Sequence, residues 1–220
     1  MIKILKATKG DLQTIHDMAQ IVFRHTYRDI LSPEQMDYMM EMMYSLPNLR
    51  QQLDEGHHYY IAYDGDAGLS DPEPADRTTG SSDVCGRDGQ SSTYGVPVGY
   101  VSVQHQGTDQ EGIEVFHLHK IYVMPQFQGK GVGMRLFQMV INHVGSVIHD
   151  NAKFCVAVPE NDEAAMAEDP RPKARIELNV NKHNRAVAFY IHIGMRIIHE
   201  EDYPIGNGFY KTDYIMALDL

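Results

Sequence analysis

The sequence contains no apolar run of about 18 residues, so it offers no segment able to cross a bilayer as a helix. The opening stretch, Met1 to Ala7, is too short in its apolar part for a secretory signal. Only two cysteines occur, Cys85 and Cys155, which is too few for a disulfide framework. Together these absences predict a cytoplasmic protein without a membrane partner. Basic residues are scarce as well: 19 Lys and Arg stand against 30 Asp and Glu, a net charge of −11. Nucleic acid demands a basic face, so that class of partner is excluded. The acidity suits electrostatic steering of a cationic small substrate such as an amine, and equally suits plain solubility.

What is present is a chain of 220 residues, 43% hydrophobic, long enough to bury one core. No internal repeat is visible. Ile2 to Ala7 reads as a strand. Thr8 and Asp11 then form a capping box ahead of a helix whose Leu12, Ile15, Ala19, Val22 and Phe23 share one face. A second helix opens at Ser32-Pro33, with Gln35 placed for another box. It carries Met36, Met39, Met40, Met42 and Met43, which either fill the core or line an adaptable acceptor pocket. A third, short helix fits 47–55, stopped by Gly56. Strands are expected at 57–63, 98–104 and 111–123, the last two as a hairpin with the opening strand alongside. Between them, 64–97 is rich in Gly, Ser, Asp and Pro and reads as a long flexible insertion, with Cys85 an idle thiol inside it. Later elements are strands at 153–158, 176–180, 195–198 and 210–218, a turn over 204–208, and a helix from Asn184 to Gly194 with Ala186, Phe189, Tyr190 and Ile193 on one face. An acidic, proline-containing insertion is expected at 159–175.

The most informative stretch runs from His117 to Arg135. Its strand ends at Val123-Met124-Pro125, because proline cannot donate to a ladder. The glycine-rich turn Gln128-Gly129-Lys130-Gly131-Val132-Gly133 follows, and Leu136, Met139, Val140 and Val144 then recur at helical spacing. Glycines at a helix start let backbone N–H groups converge on an anion, and a pyrophosphate fits. Lys130 is followed by Gly131 where a P-loop needs Ser or Thr. The glycine spacing is not that of a dinucleotide fingerprint either.

What remains, Gln-x-x-Gly-x-Gly after such a strand, resembles the acyl-CoA pyrophosphate loop of the GNAT superfamily of N-acetyltransferases. A second segment, Leu178-Asn179-Val180 through Asn184, Ala186 and Phe189-Tyr190 to Gly194-Met195, is similar to another motif of that family, with Met195 in place of its usual Phe. The order of the two is the family's. Shorter stretches, Asp11 to Thr14, Ser32 to Met36 and Thr212 to Met216, resemble the bacterial polyamine N-acetyltransferases.

The resemblance implies an α+β, three-layer fold. A mixed, mostly antiparallel sheet of six to seven strands is flanked by helices and splayed at the acetyl-CoA site, in a single domain over 1–220. It implies transfer of acetyl from acetyl-CoA to a primary amine, polyamine-like by the shorter stretches. The implied cofactor contacts are Ile121, Tyr122 and Val123, whose backbone supplies the oxyanion donor, then Gln128, Gly129, Lys130, Gly131, Val132, Gly133 and Met134 on the pyrophosphate. Asn184 and Tyr190 complete the set, with Tyr190 as general acid. His119 and His117, two apart on a strand and so on one side, are candidate bases, since an imidazole near pKa 6.5 suits proton abstraction. Their placement also looks like that of the arylalkylamine N-acetyltransferases. Glu114 and a water relay are rivals, and either histidine can be purely structural. Two histidines alone lack the third ligand a metal needs, so no metal is expected. The alternatives on the same fold are a non-catalytic acyl-CoA sensor and a protein or peptide acetyltransferase. The insertions can close a groove or support a homodimer.

Overall fold

The computed structural model describes residues 1–65, 94–155 and 174–220. The insertions expected at 64–97 and 159–175, and Cys85 with them, lie almost wholly outside the described residues. In chain order the elements are β1 (Ile2–Lys6), α1 (Leu12–Tyr27), α2 (Pro33–Tyr44), α3 (Leu46–Asp54), β2 (His58–Asp64), β3 (Val96–Thr108) and β4 (Glu114–Val123). Then come α4 (Val132–Cys155), β5 (Ala174–Asn181), α5 (Ala186–His192), β6 (Arg196–Gly206) and β7 (Phe209–Asp219). The strands form one seven-stranded sheet in the order β1-β2-β3-β4-β5-β7-β6. Every pairing is antiparallel except β4 with β5. The mixed, mostly antiparallel α+β fold implied by the sequence is the one observed.

Two apolar clusters hold the layers together, one on each face. Leu136, Val140 and Val144 of α4 and Tyr190 of α5 pack against Val101, Phe116, Leu118 and Ile176 of the sheet. On the other face Ile15, Ala19, Val22 and Phe23 of α1 pack with Met36, Met39 and Met40 of α2 against Tyr59, Ile61 and Tyr100. Those three methionines are therefore core filling, 3–7% exposed, while Met42 points outward.

Local chemistry sets the helix starts. Thr8 and Asp11 make the reciprocal capping box, but it closes a 3-10 turn over Lys9–Asp11 just ahead of α1. At α2 only half a box forms: Ser32 accepts from the Gln35 N–H at 3.2 Å, while the Gln35 side chain donates away, to the carbonyl of Tyr210.

Several boundaries differ from the sequence reading, each for a tertiary reason. Residues 153–155 are helical, the end of the 24-residue α4, so the strand expected at 153–158 is not formed there; 156–158 lie outside the described residues. The opening strand pairs with β2, which separates it from the β3–β4 hairpin. β6 runs through Pro204 to Gly206 before a turn at Asn207-Gly208, because Pro204 sits on the edge strand, where a missing N–H costs no ladder bond. The helix after Asn184 begins at Ala186; Asn184 precedes it and accepts from the Ala186 N–H at 2.9 Å.

Candidate active site

β4 and β5 run parallel but pair over only four positions, from Glu114 with Ala174 to His117 with Glu177. Beyond them the strands part. A cleft of about 1000 Å³ fills the opening, lined on one side by Leu118 to Val123 of β4 and on the other by Asn179 and Val180 of β5. The start of α4, the end of α1 and the start of α5 close its remaining walls.

The parting leaves backbone groups of β4 without a strand partner. Met124 N–H bonds to Val98 O at 2.8 Å, on the β3 side. Alternation along an antiparallel ladder then turns the N–H groups of Ile121 and Val123 away from β3 and into the cleft. The Val123 carbonyl faces the same way and accepts from Gln128 Nε2 at 3.1 Å, which ties the glycine turn to the strand end. Gly129 and Gly131 have φ of 71° and 77°, a conformation that side-chain-bearing residues adopt at a cost. Gly133 has no such need. These turns deliver the first N–H groups of α4, from Val132 to Met134, to the cleft wall. Lys130 is turned aside, its ammonium 5.1 Å from the Phe127 ring. Of the residues implied to hold the cofactor, all but Lys130 line the cleft.

Tyr190, 7% exposed, lines the opposite wall. Burial raises the pKa of its hydroxyl, so it keeps its proton at neutral pH. Tyr27, from the last turn of α1, stands nearby and accepts from Asn184 Nδ2 at 3.4 Å. Tyr27 carries no motif, and only the approach of α1 to α5 brings it here.

His117 and His119 do face one side, with ring centroids 4.5 Å apart. The register of β3 with β4 shifts between Ser102, opposite Lys120, and Val103, opposite Leu118, which leaves His119 in a bulge. The bulge lets His119 reach the cleft wall, where His117 does not line it. His57, just ahead of β2, stacks on His119 at 4.1 Å, making a row of three imidazoles. Among the described residues no group of three metal-ligating side chains is gathered. His119 Nε2 donates to Gln104 Oε1 at 3.0 Å, which leaves Nδ1 as the ring's acceptor. Burial first, then the neighbouring imidazoles of His117 and His57 and the lysines Lys120 and Lys211, lower its pKa to about 2; burial takes His57 and His117 to about 4. Glu114 is engaged elsewhere, with His105 and Thr108.

Lys120, the next residue of the strand, is 8% exposed. Its Nζ donates to Gln52 Oε1 at 2.6 Å and sits 5.6 Å and 5.5 Å from the rings of Tyr44 and Tyr59. Burial, and then Lys211, lower its pKa to about 7. His57, Lys120, Gln104 and Tyr27 are the site features that no sequence motif announced.

The acetyltransferase (GNAT) domain family matches residues 84–196, about half of the chain. The chain belongs to the GNAT acetyltransferase family and is an acyltransferase. Among solved structures it is similar to a PaiA N-acetyltransferase from Thermoplasma acidophilum in complex with coenzyme A. That match has 16% identity and a TM-score of 0.60 over 100% of this chain and 99% of the other. A GCN5-related N-acetyltransferase from Rhodopseudomonas palustris matches at 15% identity and TM-score 0.61, covering 99% and 95%. The ribosomal-protein-S18-alanine N-acetyltransferase from Escherichia coli matches at 14% and 0.56, covering 100% and 94%. At these identities the likeness is one of fold.

Proposed function

We propose that this protein moves the acetyl group of acetyl-CoA directly to a primary amine of a small acceptor. The observation that carries the reading is the splay of β4 from β5 beyond His117 and Glu177, with the glycine turn at one end and Tyr190 on the facing wall. The pyrophosphate lies against the N–H groups of the Gln128–Met134 turn, where the α4 dipole favours an anion. The thioester carbonyl lies along Ile121 to Val123, and the free N–H groups of that stretch take up the oxyanion as it forms. The neutral amine nitrogen attacks the carbonyl carbon, the C–S bond breaks, the leaving thiolate takes the proton of Tyr190, and the proton lost by the amine nitrogen passes to water and returns Tyr190 to its protonated form. Asn184 holds the Tyr27 hydroxyl and the start of α5, and so positions Tyr190. His119, pinned neutral with Nδ1 free, accepts a hydrogen bond from the incoming amine and orients it. His117 keeps the His119 ring in place.

A single acetyltransferase domain over 1–220 and a cytoplasmic setting belong to the same reading. A polyamine acceptor rests on the three short stretches named above. A protein or peptide amine fits the transfer chemistry equally. The test is release of CoA thiol from acetyl-CoA in the presence of spermidine, arylalkylamines and short peptides. Acetyl-CoA binding without thiol release for any amine sinks the proposal and favours a sensor.

A further inference from the structure

Tyr27 and Tyr190 line the cleft from opposite faces of the sheet. The Tyr27 ring packs with the α1–α2 cluster, 4.6 Å from Phe23, whereas Tyr190 belongs to the cluster under α4 and α5. Asn184, in the same cleft wall, joins the two. Its Nδ2 donates to the Tyr27 oxygen at 3.4 Å, and its Oδ1 takes the N–H of Ala186 at 2.9 Å, one helical turn before Tyr190. The Tyr122 hydroxyl acts on the Tyr27 oxygen as a second donor. A hydroxyl has two acceptor positions and one proton. With both acceptor positions engaged, Tyr27 has its proton left to offer, and among the described residues no acceptor takes it. An O–H withdrawn from water is rarely left without an acceptor. Burial raises the pKa of the group, so the proton stays on oxygen at neutral pH.

We propose that the Tyr27 hydroxyl is a catalytic donor to the thioester carbonyl oxygen, a side-chain member of the oxyanion site beside the N–H groups of Ile121 and Val123. The inference rests on the acetyl-transfer reading above. A thioester lying along Ile121 to Val123 brings two atoms able to accept, the carbonyl oxygen and the sulfur. Sulfur is a weak acceptor, and in the transfer it receives the Tyr190 proton. The carbonyl oxygen gains the charge as the amine adds. Tyr122, the residue between the two backbone donors, is also the one whose hydroxyl engages Tyr27. The Tyr27 bond therefore strengthens as the oxyanion forms, which is the condition for it to lower the barrier. No proton leaves Tyr27. As the C–N bond forms, the carbonyl π pair moves to oxygen; as that pair returns, the C–S bond breaks and sulfur takes the Tyr190 proton.

The experiment records the carbonyl stretch of bound acetyl-CoA, isotope-labelled at the thioester carbonyl, by infrared difference spectroscopy without an acceptor amine. It is done on the natural protein, Tyr27→Phe and Tyr190→Phe, with kcat measured beside it for an amine the natural protein acetylates. Tyr27→Phe keeps the ring against Phe23, so Tm and acetyl-CoA affinity should stay nearly unchanged. It should move the band to higher wavenumber, the sign of a lost hydrogen bond, and lower kcat about 100-fold. Tyr190→Phe should leave the band in place. A band that stays put in Tyr27→Phe, or that moves as far in Tyr190→Phe, overturns the inference even if kcat falls. An unchanged kcat in Tyr27→Phe overturns it too, and acetyl transfer stands in each of these cases. No thiol release with any amine, while the Tyr27→Phe band still moves, overturns the transfer reading and leaves the Tyr27 contact in place.

Discussion

His117 and Glu177 are the last residues at which β4 and β5 pair, and the cleft begins one residue further on, at Leu118. Parallel strands present evenly spaced, slanted bonds, so parting them exposes a run of donors and acceptors along one edge. An N–H buried without a partner is costly unless something occupies it. In the proposed reaction the cost is turned to use, because the thioester carbonyl would become an anion at that place.

Tyr190→Phe removes the hydroxyl and keeps the ring. It should lower kcat on the order of 100-fold, in the range general acids contribute, with little change in acetyl-CoA affinity. Steady-state kinetics and calorimetric titration of acetyl-CoA separate the two. Unchanged kcat removes Tyr190 from the reaction.

The glycines of the turn should not be equivalent. Gly131→Ala forces a side chain into φ 77° and should cost about 1–2 kcal/mol, seen as a lower Tm. Gly133→Ala places its Cβ 3.7 Å from Phe189, an ordinary contact, and should leave Tm nearly unchanged. Equal losses at both positions contradict the backbone argument.

At Gly99 the limit is space. A Cβ there meets the Tyr122 carbonyl oxygen at 2.6 Å and Leu136 Cδ1 at 3.3 Å. Gly99→Ala should push β3 from β4 at the strand end proposed to bear the oxyanion donors. A loss of about 2 kcal/mol in urea unfolding is expected, with kcat falling alongside. A variant as stable and active as the natural protein refutes the contact.

Acid should unfold this protein early. The imidazoles of His57, His117 and His143 sit near 4 when folded and that of His119 near 2, against 6.5 when exposed. Below pH 6.5 the unfolded chain binds protons that the folded chain refuses. Their contribution is therefore complete above that pH and is lost as pH falls toward 4, by up to about 1.4 kcal/mol per pH unit for each group. Tm measured from pH 7.5 to 4.5 should drop steeply below 6.5. A flat Tm across that range rules the account out.

The amino-acid sequence alone determined most of the elements and the glycine turn that lines one end of the cleft. Local signals suffice there: Thr8 with Asp11 opens the first helical turn, Pro125 ends a strand, and Gly129 and Gly131 make a turn that few other residues tolerate. Those signals act over a few residues, so they survive without knowledge of the fold. The surroundings of His119 and Lys120 were decided by tertiary structure. The bulge that brings His119 to the cleft depends on the pairing of β3 with β4. His57 reaches His119 across 62 residues, and Gln52 reaches Lys120 across 68. Burial beside like charges makes His119 a poor base, although its sequence neighbours suggested a good one. A basicity is set by the field of every nearby group, and that field exists only once the chain has folded.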